Sequence, residues 1–544
     1  MSRRLIDKAK AILRAERGTI YKDPGGRINI CLIYPNTYHV GMSNLGFQAI
    51  YGILNKRDDV LCERAFLPDE QDMEEYQRTD TELFSIESQR PVKRFHILCF
   101  SVSFENDYPN ILKILRLARI PFRAKDRDES FPMIAFGGIC AFFNPEPIAE
   151  FFDAVFIGEG EEVIEEFLGS YRHGRNRREI LKDITGIEGI YVPQFYDVIY
   201  NEDKTIRDRI AREGGPQVIK KRWIKDISSH RIVSCIYTPN TEFSNMAVIE
   251  AMRGCPWKCR FCVTGYVYKP SRKKDIEALK AEIKDSISSA DRVGLVGPSL
   301  SDYSDIAEVL NIPGVDFSIT SLRASKRSVA LVHLLKGRRS VSIAPEAGSK
   351  RLRDVIDKRI TEEDILETSR TVLEAGIENL RLYFMIGLPT ETEDDIIQIV
   401  ELAKNIRRTS KRGRVTLSIS SFVPKPFTPF QWVKMEDVDT LKHRLKLIKS
   451  GLRDVGGVRV LHDVPKWAYM QGFLSRGDRQ VSYALENMLD NGDWLKVCLN
   501  AGIDPAFYAL RQRPVDEVLP WDFIDCGITK EKLIEEYRKA IGDL

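Results

Sequence analysis

The stretch RGCPWKCRFCVTG, residues 253–265, places three cysteines within eight positions. Cys255, Cys259 and Cys262 follow the spacing C-x3-C-x2-C in a chain of 544 residues that has only 10 cysteines. Three thiolates do not complete a four-coordinate zinc site, and no histidine lies nearby in the sequence. They suit a [4Fe–4S] cluster, in which each protein ligand binds a different iron. Three ligands for four irons leave one iron open, where a substrate can be held and reduced.

The residues around these cysteines fit such a cluster. Gly254 and Pro256 predict a tight loop whose amide N–H groups turn toward the sulfur atoms. We expect Lys258 and Arg260 to offset the negative charge of a thiolate-bound cluster. Two alternatives stay open at this point: a structural zinc loop with a remote fourth ligand, and buried cysteines that hold no metal.

The cysteines follow the first of six apolar segments that alternate with amphipathic helical segments over residues 246–433. Such alternation predicts parallel strands that are covered by helices. Six βα units are fewer than the eight of a full barrel, so we expect a six-unit partial (βα) barrel. The predicted strands are 246–252, 292–297, 316–322, 340–345, 380–387 and 415–423.

Residues 1–170 show the same alternation and predict a doubly wound parallel-sheet domain, so the fold class is α/β. In such a domain the ligand crevice lies past the carboxyl ends of the strands. Residues 171–245 are expected to be a connector with a β-hairpin around Asn201–Lys204, and residues 434–544 a mainly helical C-terminal tail. The predicted N-terminal strands are 28–35, 60–66, 95–103, 132–138 and 153–160.

The cysteine spacing, with Phe261 before the last cysteine and a position directly after the first strand of a six-unit barrel, resembles the radical S-adenosylmethionine (radical SAM) enzymes. In that family the open iron chelates S-adenosylmethionine (SAM). One electron, supplied by a donor such as flavodoxin or ferredoxin, then cleaves SAM to methionine and a 5′-deoxyadenosyl radical. The resemblance therefore implies that Cys255, Cys259 and Cys262 bind a [4Fe–4S] cluster.

Further residues at the predicted strand ends resemble the SAM-binding segments of this family. The segment after the second strand lacks the glycine-glycine-glutamate of many members, which puts its amine contacts in doubt. Gly387 and Pro389 are also compatible with a helix start, and Glu346 with a charge at a helix N-terminus. The SAM contacts that the resemblance implies are Phe261, Gly297, Pro298, Ser299, Glu346, Gly387, Pro389 and Val423.

The segment 136–167 resembles the end of a cobalamin-binding-like domain that precedes the barrel in one radical SAM subgroup. The glycines of 137–138 and 158–160 suit close backbone approach to a flat macrocycle. The Asp-x-His-x-x-Gly signature for cobalt ligation is missing, and His39 lacks its flanking pattern. The domain is therefore expected either to bind cobalamin or to serve packing and substrate binding.

Two alternative functions remain. Methylthiotransferases are radical SAM enzymes with a second cluster, for which Cys31, Cys62 and Cys99 have a loosely similar spacing, with Cys140 to spare. These cysteines lie within apolar strands, where cysteine is usually a small buried hydrophobe. A non-catalytic metal-bearing RNA-binding module is the other alternative.

Three polar or charged segments are weighed as contact sites. The basic stretch 405–414 favours a solvated loop, whereas 266–274 mixes aromatic residues with cations near the cluster and is the better candidate for RNA or an acidic substrate. Arg476, Asp478 and Arg479 are candidates for a tail contact with the barrel or the substrate, or for an ion-paired loop.

Composition restricts the function only weakly. The formal charge of +3, from 82 basic and 79 acidic side chains, neither requires nor excludes a nucleic-acid partner. No apolar run reaches the ~18 residues that a membrane helix needs, so we expect no membrane partner and a cytoplasmic, reducing location. The resemblance, which extends over nearly the full chain to uncharacterised bacterial and archaeal radical SAM proteins, predicts modification of RNA, protein or another unactivated substrate. With cobalamin the expected outcome is methylation.

Overall fold

The computed structural model describes residues 2–171, 176–319, 321–335, 338–489 and 492–542. It is a mixed α/β structure in which parallel strands alternate with helices. Among the described residues no helix is long and apolar enough to cross a bilayer.

The N-terminal region forms a six-stranded sheet in the order β2-β1-β3-β4-β5-β6. All neighbouring strands are parallel except β6, which is antiparallel to β5. Because the sheet is covered by helices, the strand residues are mostly buried, as their continuous apolar runs predict. The strands are β1 (Ile28–Tyr34), β2 (Val60–Phe66), β3 (Ile97–Ser101), β4 (Met133–Gly137), β5 (Ala154–Phe156) and β6 (Ile190–Tyr191). The helices are α1 (Arg3–Ala15), α2 (Tyr38–Met42), α3 (Leu45–Lys56), α4 (Glu70–Arg78), α5 (Tyr108–Leu117), α6 (Ile139–Phe143), α7 (Gly160–Ser170) and α8 (Arg177–Ile184).

The connector contains the predicted hairpin, formed by β7 (Tyr196–Tyr200) and β8 (Ile206–Ala211). A third short strand, β9 (Ile219–Lys220), pairs in parallel with a strand from the far end of the chain, β19 (Ile524–Asp525). The connector and the tail are therefore joined by backbone hydrogen bonds beside the middle region.

The middle region holds two parallel sheets, in the orders β10-β13-β14 and β15-β16-β17-β18, and an isolated parallel bridge between Leu322 and Ile343 joins them. A small antiparallel pair, β11 and β12, flanks the cysteine loop. Thr320, within the strand predicted at 316–322, lies outside the described residues. The strands are β10 (Met246–Glu250), β11 (Met252–Arg253), β12 (Arg272–Lys273), β13 (Arg292–Val296), β14 (Phe317–Ile319), β15 (Ser340–Glu346), β16 (Asn379–Ile386), β17 (Arg414–Ser421) and β18 (Val458–His462). The helices are α9 (Thr264–Val267), α10 (Ile276–Ser286), α11 (Ile306–Leu310), α12 (Lys326–Leu331), α13 (Lys350–Val355), α14 (Glu362–Glu374) and α15 (Glu393–Thr409).

The tail differs from the expectation in one respect. It is mainly helical, but β18 lies within it and extends the second sheet by pairing in parallel with β17. Its sequence VRVLH is only partly buried, so the apolar run that marks the other strands is absent. The helices are α16 (Val438–Leu452), α17 (Pro465–Arg476), α18 (Val481–Asn487), α19 (Trp494–Asn500), α20 (Pro505–Ala509) and α21 (Lys530–Ile541).

The segment after α17 forms an ion-paired loop that contacts the N-terminal region. Arg479 pairs with the buried carboxylate of Glu146 at 3.2 Å and donates to the hydroxyl of Tyr191 at 2.6 Å. Arg476 is fully buried and donates to the backbone carbonyls of Ala509 and Arg511. These two arginines therefore fasten the tail and have no free charge for a substrate.

Asp478 gives this loop a pH dependence. Its carboxylate accepts hydrogen bonds from the hydroxyl of Tyr508 and the backbone N–H of Gln480, and burial raises its pKa to about 6. As pH rises from about 4 to 6, the unfolded chain loses this proton while the native chain keeps it, so the free energy of unfolding falls by about 3 kcal/mol. We expect Asp478→Asn to remove that slope in urea unfolding. An unchanged slope, or the same change in the exposed control Asp454→Asn, contradicts the assignment.

Candidate active site

The cysteine loop begins directly after β11 and ends in α9, and its entry requires a glycine. Gly254 has φ +74°, and a Cβ atom there would lie 2.3 Å from the carbonyl oxygen of Tyr268. The hydroxyl of Ser271 donates to the Gly254 carbonyl at 3.1 Å, and the N–H of Cys262 donates to the Cys259 carbonyl at 3.0 Å. The start of the loop is thus held by a side-chain hydrogen bond from Ser271, and a backbone hydrogen bond forms a turn within it.

The three cysteine side chains differ in exposure. Cys259 is buried, whereas Cys255 and Cys262 are partly exposed. Burial raises the pKa of the Cys259 thiol to about 11, against the opposing effect of Lys358 and Arg323. Burial also raises the pKa of Cys255. Two cations thus lie beside the buried thiol, where a bound metal would deprotonate it outright.

Arg323 and Lys358 are held firmly in place. The Arg323 guanidinium interacts with the thiols of Cys259 and Cys255, lies 3.7 Å from the ring centre of Trp257, and donates to the carbonyl of Arg359 at 2.8 Å. The ammonium of Lys358 forms a 2.8 Å ion pair with Glu346. These cations lie where they would offset the charge of a thiolate cluster, the role predicted above for Lys258 and Arg260.

The guanidinium of Arg260 binds other partners. It pairs with Glu536 of α21 at 3.2 Å and donates to the carbonyls of Asp354 and Val355 at the end of α13. Lys258 is exposed. Arg260 therefore anchors the loop to the tail, and the expectation that it neutralises the cluster is wrong because its charge is already committed to Glu536.

The donor set fits a [4Fe–4S] cluster. Three soft thiols from one loop lie next to two cations, as a negatively charged iron–sulfur cluster requires. In the described part of the chain no three Cys, His, Asp or Glu side chains converge as the ligands of a single metal ion do. Ligands of a cubane cluster need not converge in this way, because each binds a different iron.

Some of the predicted SAM-binding residues lie next to the cysteine loop and others do not. Gly297 and Pro298, at the end of β13, line the same cavity as Gly254, and the hydroxyl of Ser299 donates to Asp302 at 2.6 Å. Asp302 also accepts from the indole N–H of Trp257 at 2.6 Å. The second strand end is therefore tied to the cysteine loop.

The fourth and fifth strand ends hold acidic side chains that already have partners. Glu346 ends β15 with φ +68° and pairs with Lys358 beside Cys259. Glu391 accepts from the N–H of Gly387 at 2.8 Å and pairs with Arg444 of α16 at 2.9 Å. Glu346 thus lies at the cysteine loop. Glu391 instead holds the loop that follows β16 against α16 of the tail.

The remaining predicted contacts lie outside the cavity lining described below. Pro389 is partly exposed, beside the φ +64° residue Thr390. Phe261 and Val423 are partly buried against the hydrophobic core. The structure therefore brings Glu346, Gly297 and Pro298 to the cysteine loop, which contains Phe261, whereas Phe261, Pro389 and Val423 are not among the described residues that line the cavity.

A cavity of about 720 Å³ separates the N-terminal sheet from the cysteine loop. Its N-terminal wall is formed by α3 and the ends of β3 and β4, and its other wall by Arg253, Gly254, Thr264 and Tyr268. Most of the lining side chains are aliphatic or aromatic, and in the part of the chain that the structure describes none of them is a histidine. The cavity therefore has the volume of a ligand site.

Two of the glycines that are predicted to contact a macrocycle are required by the fold itself. A Cβ atom on Gly138, with φ +102°, would lie 2.6 Å from the carbonyl oxygen of Val102. One on Gly158, with φ +125°, would lie 2.2 Å from the carbonyl oxygen of Arg222. These two glycines are required by close approach of the chain to itself, although both line the cavity. His39 is exposed near Glu242 and does not line it.

Arg253, the residue before the cysteine loop, joins the two walls of the cavity. Its guanidinium pairs with Glu159 at 3.0 Å and with Glu161 and Glu250 at 2.6 Å. Arg272 also pairs with Glu159 at 2.6 Å. The turn Gly158-Glu159-Gly160 is thus bound to the cysteine loop by ion pairs, which the sequence analysis did not foresee.

The N-terminal cysteines do not form a second three-cysteine site. In the parallel register Ile30 pairs with Cys62 and Leu32 with Cys99, so both cysteines share one face of the sheet. Cys31 lies between these positions and faces the opposite side, because side chains alternate along a strand. The methylthiotransferase-like interpretation of these three residues is therefore not supported by the geometry.

The basic stretch 266–274 provides less surface charge than its sequence suggests. Arg272 is buried in its pair with Glu159, and Lys274 is buried in a 2.6 Å pair with Glu282. In 405–414, Arg407 donates to the carbonyls of Arg412 and Gly413. These cations stabilise the fold and are not available to RNA.

Comparison with known proteins decides the family. Residues 46–193 match the model of radical SAM proteins, N-terminal, and residues 249–403 match that of the radical SAM superfamily. An uncharacterised protein, MJ0966 of Methanocaldococcus jannaschii, is 31% identical over 84% of this chain and 90% of its own length. The chain belongs to the radical SAM superfamily. It is accordingly an enzyme that binds a [4Fe–4S] cluster and SAM and needs an electron donor.

Two further proteins are less similar to this chain. The threonylcarbamoyladenosine tRNA methylthiotransferase MtaB of Aquifex aeolicus is 22% identical over 37% of this chain and 52% of its own length. The solved structure of OxsB, a cobalamin-dependent SAM radical enzyme, aligns with 94% of this chain and 78% of its own, at 12% identity and a TM-score of 0.47.

Proposed function

We propose that this radical SAM enzyme cleaves SAM reductively at the 253–265 loop and uses the resulting radical on a molecule held in the 720 Å³ cavity. The observation that carries the proposal is the position of the cysteine loop. Cys255, Cys259 and Cys262 follow the first strand of the middle region, and Gly254 and Thr264 of the same loop line the cavity. When bound, the cluster supplies the single electron that splits SAM into methionine and a 5′-deoxyadenosyl radical.

Different residues of this chain would contact the cluster and SAM. Arg323 and Lys358 would offset the charge of the thiolates, and Glu346, which pairs with Lys358 and borders Cys259, would also accept from a ribose hydroxyl or the SAM amine. Gly297 and Pro298 line the cavity at the second strand end, and the fold itself requires the glycine, since a Cβ atom on Gly297 would lie 2.8 Å from Cδ2 of Leu300 and 2.9 Å from the Cβ of Met252. The proposed SAM-binding set also includes Ser299, Gly387, Pro389, Val423 and Phe261. In this proposal the set lies within a six-unit barrel that follows a doubly wound domain.

The cavity supports cobalamin as the second ligand. Its floor is the carboxyl edge of the N-terminal sheet, where Ser101, Ser103, Gly137 and Gly138 lie. Ligands of doubly wound domains bind at that edge. Among the described residues no histidine lines the cavity. The proposed outcome is methylation of an unactivated carbon.

The apolar lining of the cavity also indicates the kind of substrate. Aliphatic and aromatic walls favour a small molecule or a single inserted residue over a folded RNA, and two of the four cations of 266–274, Arg272 and Lys274, are buried. This favours enzymatic modification over the alternative of a metal-bearing RNA-binding module. We place the enzyme in the cytoplasm, where reducing conditions preserve free thiols and the cluster.

The test is anaerobic reconstitution with iron and sulfide, followed by dithionite and SAM. We expect 5′-deoxyadenosine and methionine in equal amounts, and their absence from a fully reconstituted protein overturns the proposed function. Desalting after addition of hydroxocobalamin tests the second ligand: a retained corrin spectrum supports it, and elution of all corrin with the small molecules contradicts it.

A further inference from the structure

The cysteine loop has a second face, which looks away from the large cavity. There Cys255 and Pro256 form part of a surface pocket of about 550 Å³. We call it the basic pocket; its other walls are the paired strands β9 and β19 and the segment Lys269-Pro270-Ser271. None of the residues that line the basic pocket lines the large cavity. A partner bound here would reach a cluster ligand without entering the substrate side.

Lysines outnumber carboxylates in the lining of this pocket. Lys220, Lys221 and Lys269 line it, against the carboxylates of Glu188 and Asp525. The carboxylate of Asp525 accepts a hydrogen bond from the N–H of Gly527 at 2.8 Å. Lys258 of the cysteine loop adds a further positive charge close to Lys269.

The basic pocket has a wall that is fixed by hydrogen bonds, and an exposed aromatic residue lines it. The buried ammonium of Lys221 donates to the carbonyls of Val267 at 2.6 Å and Lys269 at 3.3 Å, which fixes the connector against the segment that follows the cysteine loop. Trp223 lines the pocket and is 38% exposed. An exposed aromatic residue among cations is typical of a protein-binding surface.

We propose that the basic pocket is the docking site of an acidic electron-transfer protein of the flavodoxin or ferredoxin class. The proposal rests on the proposed function, which requires one electron from outside at each SAM cleavage. Charge complementarity selects the partner, because a positive surface steers a negative protein to the pocket. It also gives the connector and the tail a role, since β9 and β19 together form one wall beside Cys255.

The experiment compares two reductants on the reconstituted full-length enzyme. In Lys220→Glu/Lys269→Glu, we expect kcat/KM for reduced flavodoxin to fall about tenfold at low salt, because rim charges act mainly on association. SAM cleavage with dithionite should stay within about twofold of the wild type. The wild-type rate with flavodoxin should also fall with added salt, and the variant's rate should fall less.

Two control variants keep the test specific. Lys220→Arg/Lys269→Arg preserves the charge and should keep the flavodoxin rate, and Lys446→Glu/Lys449→Glu on α16 reverses two charges that do not line the pocket. An undiminished flavodoxin rate in the Glu variant, or an equal loss with both reductants, overturns the docking site. A wild type that cleaves SAM with dithionite but accepts electrons from neither flavodoxin nor ferredoxin also overturns it. Failure with dithionite itself contradicts the proposed function instead.

Discussion

Cys259→Ala is expected to abolish SAM cleavage and to leave the chain folded. The variant removes the most buried of the three thiols, which lies beside Arg323 and Lys358. Changes in the surroundings of a metal site cost 10–100-fold in affinity or activity, and loss of a ligand should exceed about 100-fold. Iron and acid-labile sulfide should fall from about four of each per chain to a small fraction.

Cys498→Ala is the matched control for this change. Cys498 is also a buried cysteine, in α19 of the tail, and it is far from the 253–265 loop in sequence. We expect this variant to bind a full cluster and to cleave SAM at the wild-type rate. Full iron content in Cys259→Ala, or an equal loss in both variants, contradicts the assignment of the cluster ligands.

Gly254→Ala is expected to prevent cluster assembly although every cysteine is retained. An alanine at φ +74° is strained, and its Cβ would lie 2.3 Å from the carbonyl oxygen of Tyr268. Strain and clash together should cost more than about 3 kcal/mol, and the loop can relieve this only by moving Cys255. Iron content after reconstitution and the rate of 5′-deoxyadenosine formation measure the effect.

Gly502→Ala separates the two causes. Gly502 has φ +75°, nearly the same as Gly254, but no atom lies within 4 Å of an added Cβ. This control carries the backbone strain, worth about 1–2 kcal/mol, without the clash. We expect it to assemble a normal cluster. If Gly254→Ala assembles a cluster as readily as Gly502→Ala, the loop does not depend on this close approach.

The cysteine loop could be predicted from sequence because its ligands are local. Cys255, Cys259 and Cys262 lie on one loop, so their spacing alone indicates the chemistry. Gly297 and Pro298 could be placed because parallel strands end at a common edge. Both signals depend on short-range pattern and the regularity of βα units.

The surroundings of the loop could not be predicted, because they come from distant parts of the chain. Arg323 and Lys358 lie 64 and 99 positions beyond Cys259, in segments with no distinguishing motif. Glu536 of the tail takes up the charge of Arg260, which the local sequence suggested for the cluster. A charge near a site in sequence therefore does not show which partner it meets in the fold.

The strand β18 and the glycines of the N-terminal turns show the same limit. The half-exposed sequence of β18 carries no apolar run, and its pairing with β17 decides its conformation. Gly158 is needed because the connector residue Arg222 approaches it, a contact across 64 positions. Glycine indicates that something comes close, and only the fold shows what.

The most direct test of the central claim is the electron paramagnetic resonance spectrum of the reduced, reconstituted enzyme before and after SAM is added. Three thiolates leave one iron open, so SAM should bind that iron and change the spectrum of the cluster. A full cluster whose spectrum shifts with SAM, and a Cys259→Ala protein with no such signal, are the predicted results. A full cluster whose spectrum is unchanged by saturating SAM would contradict the account.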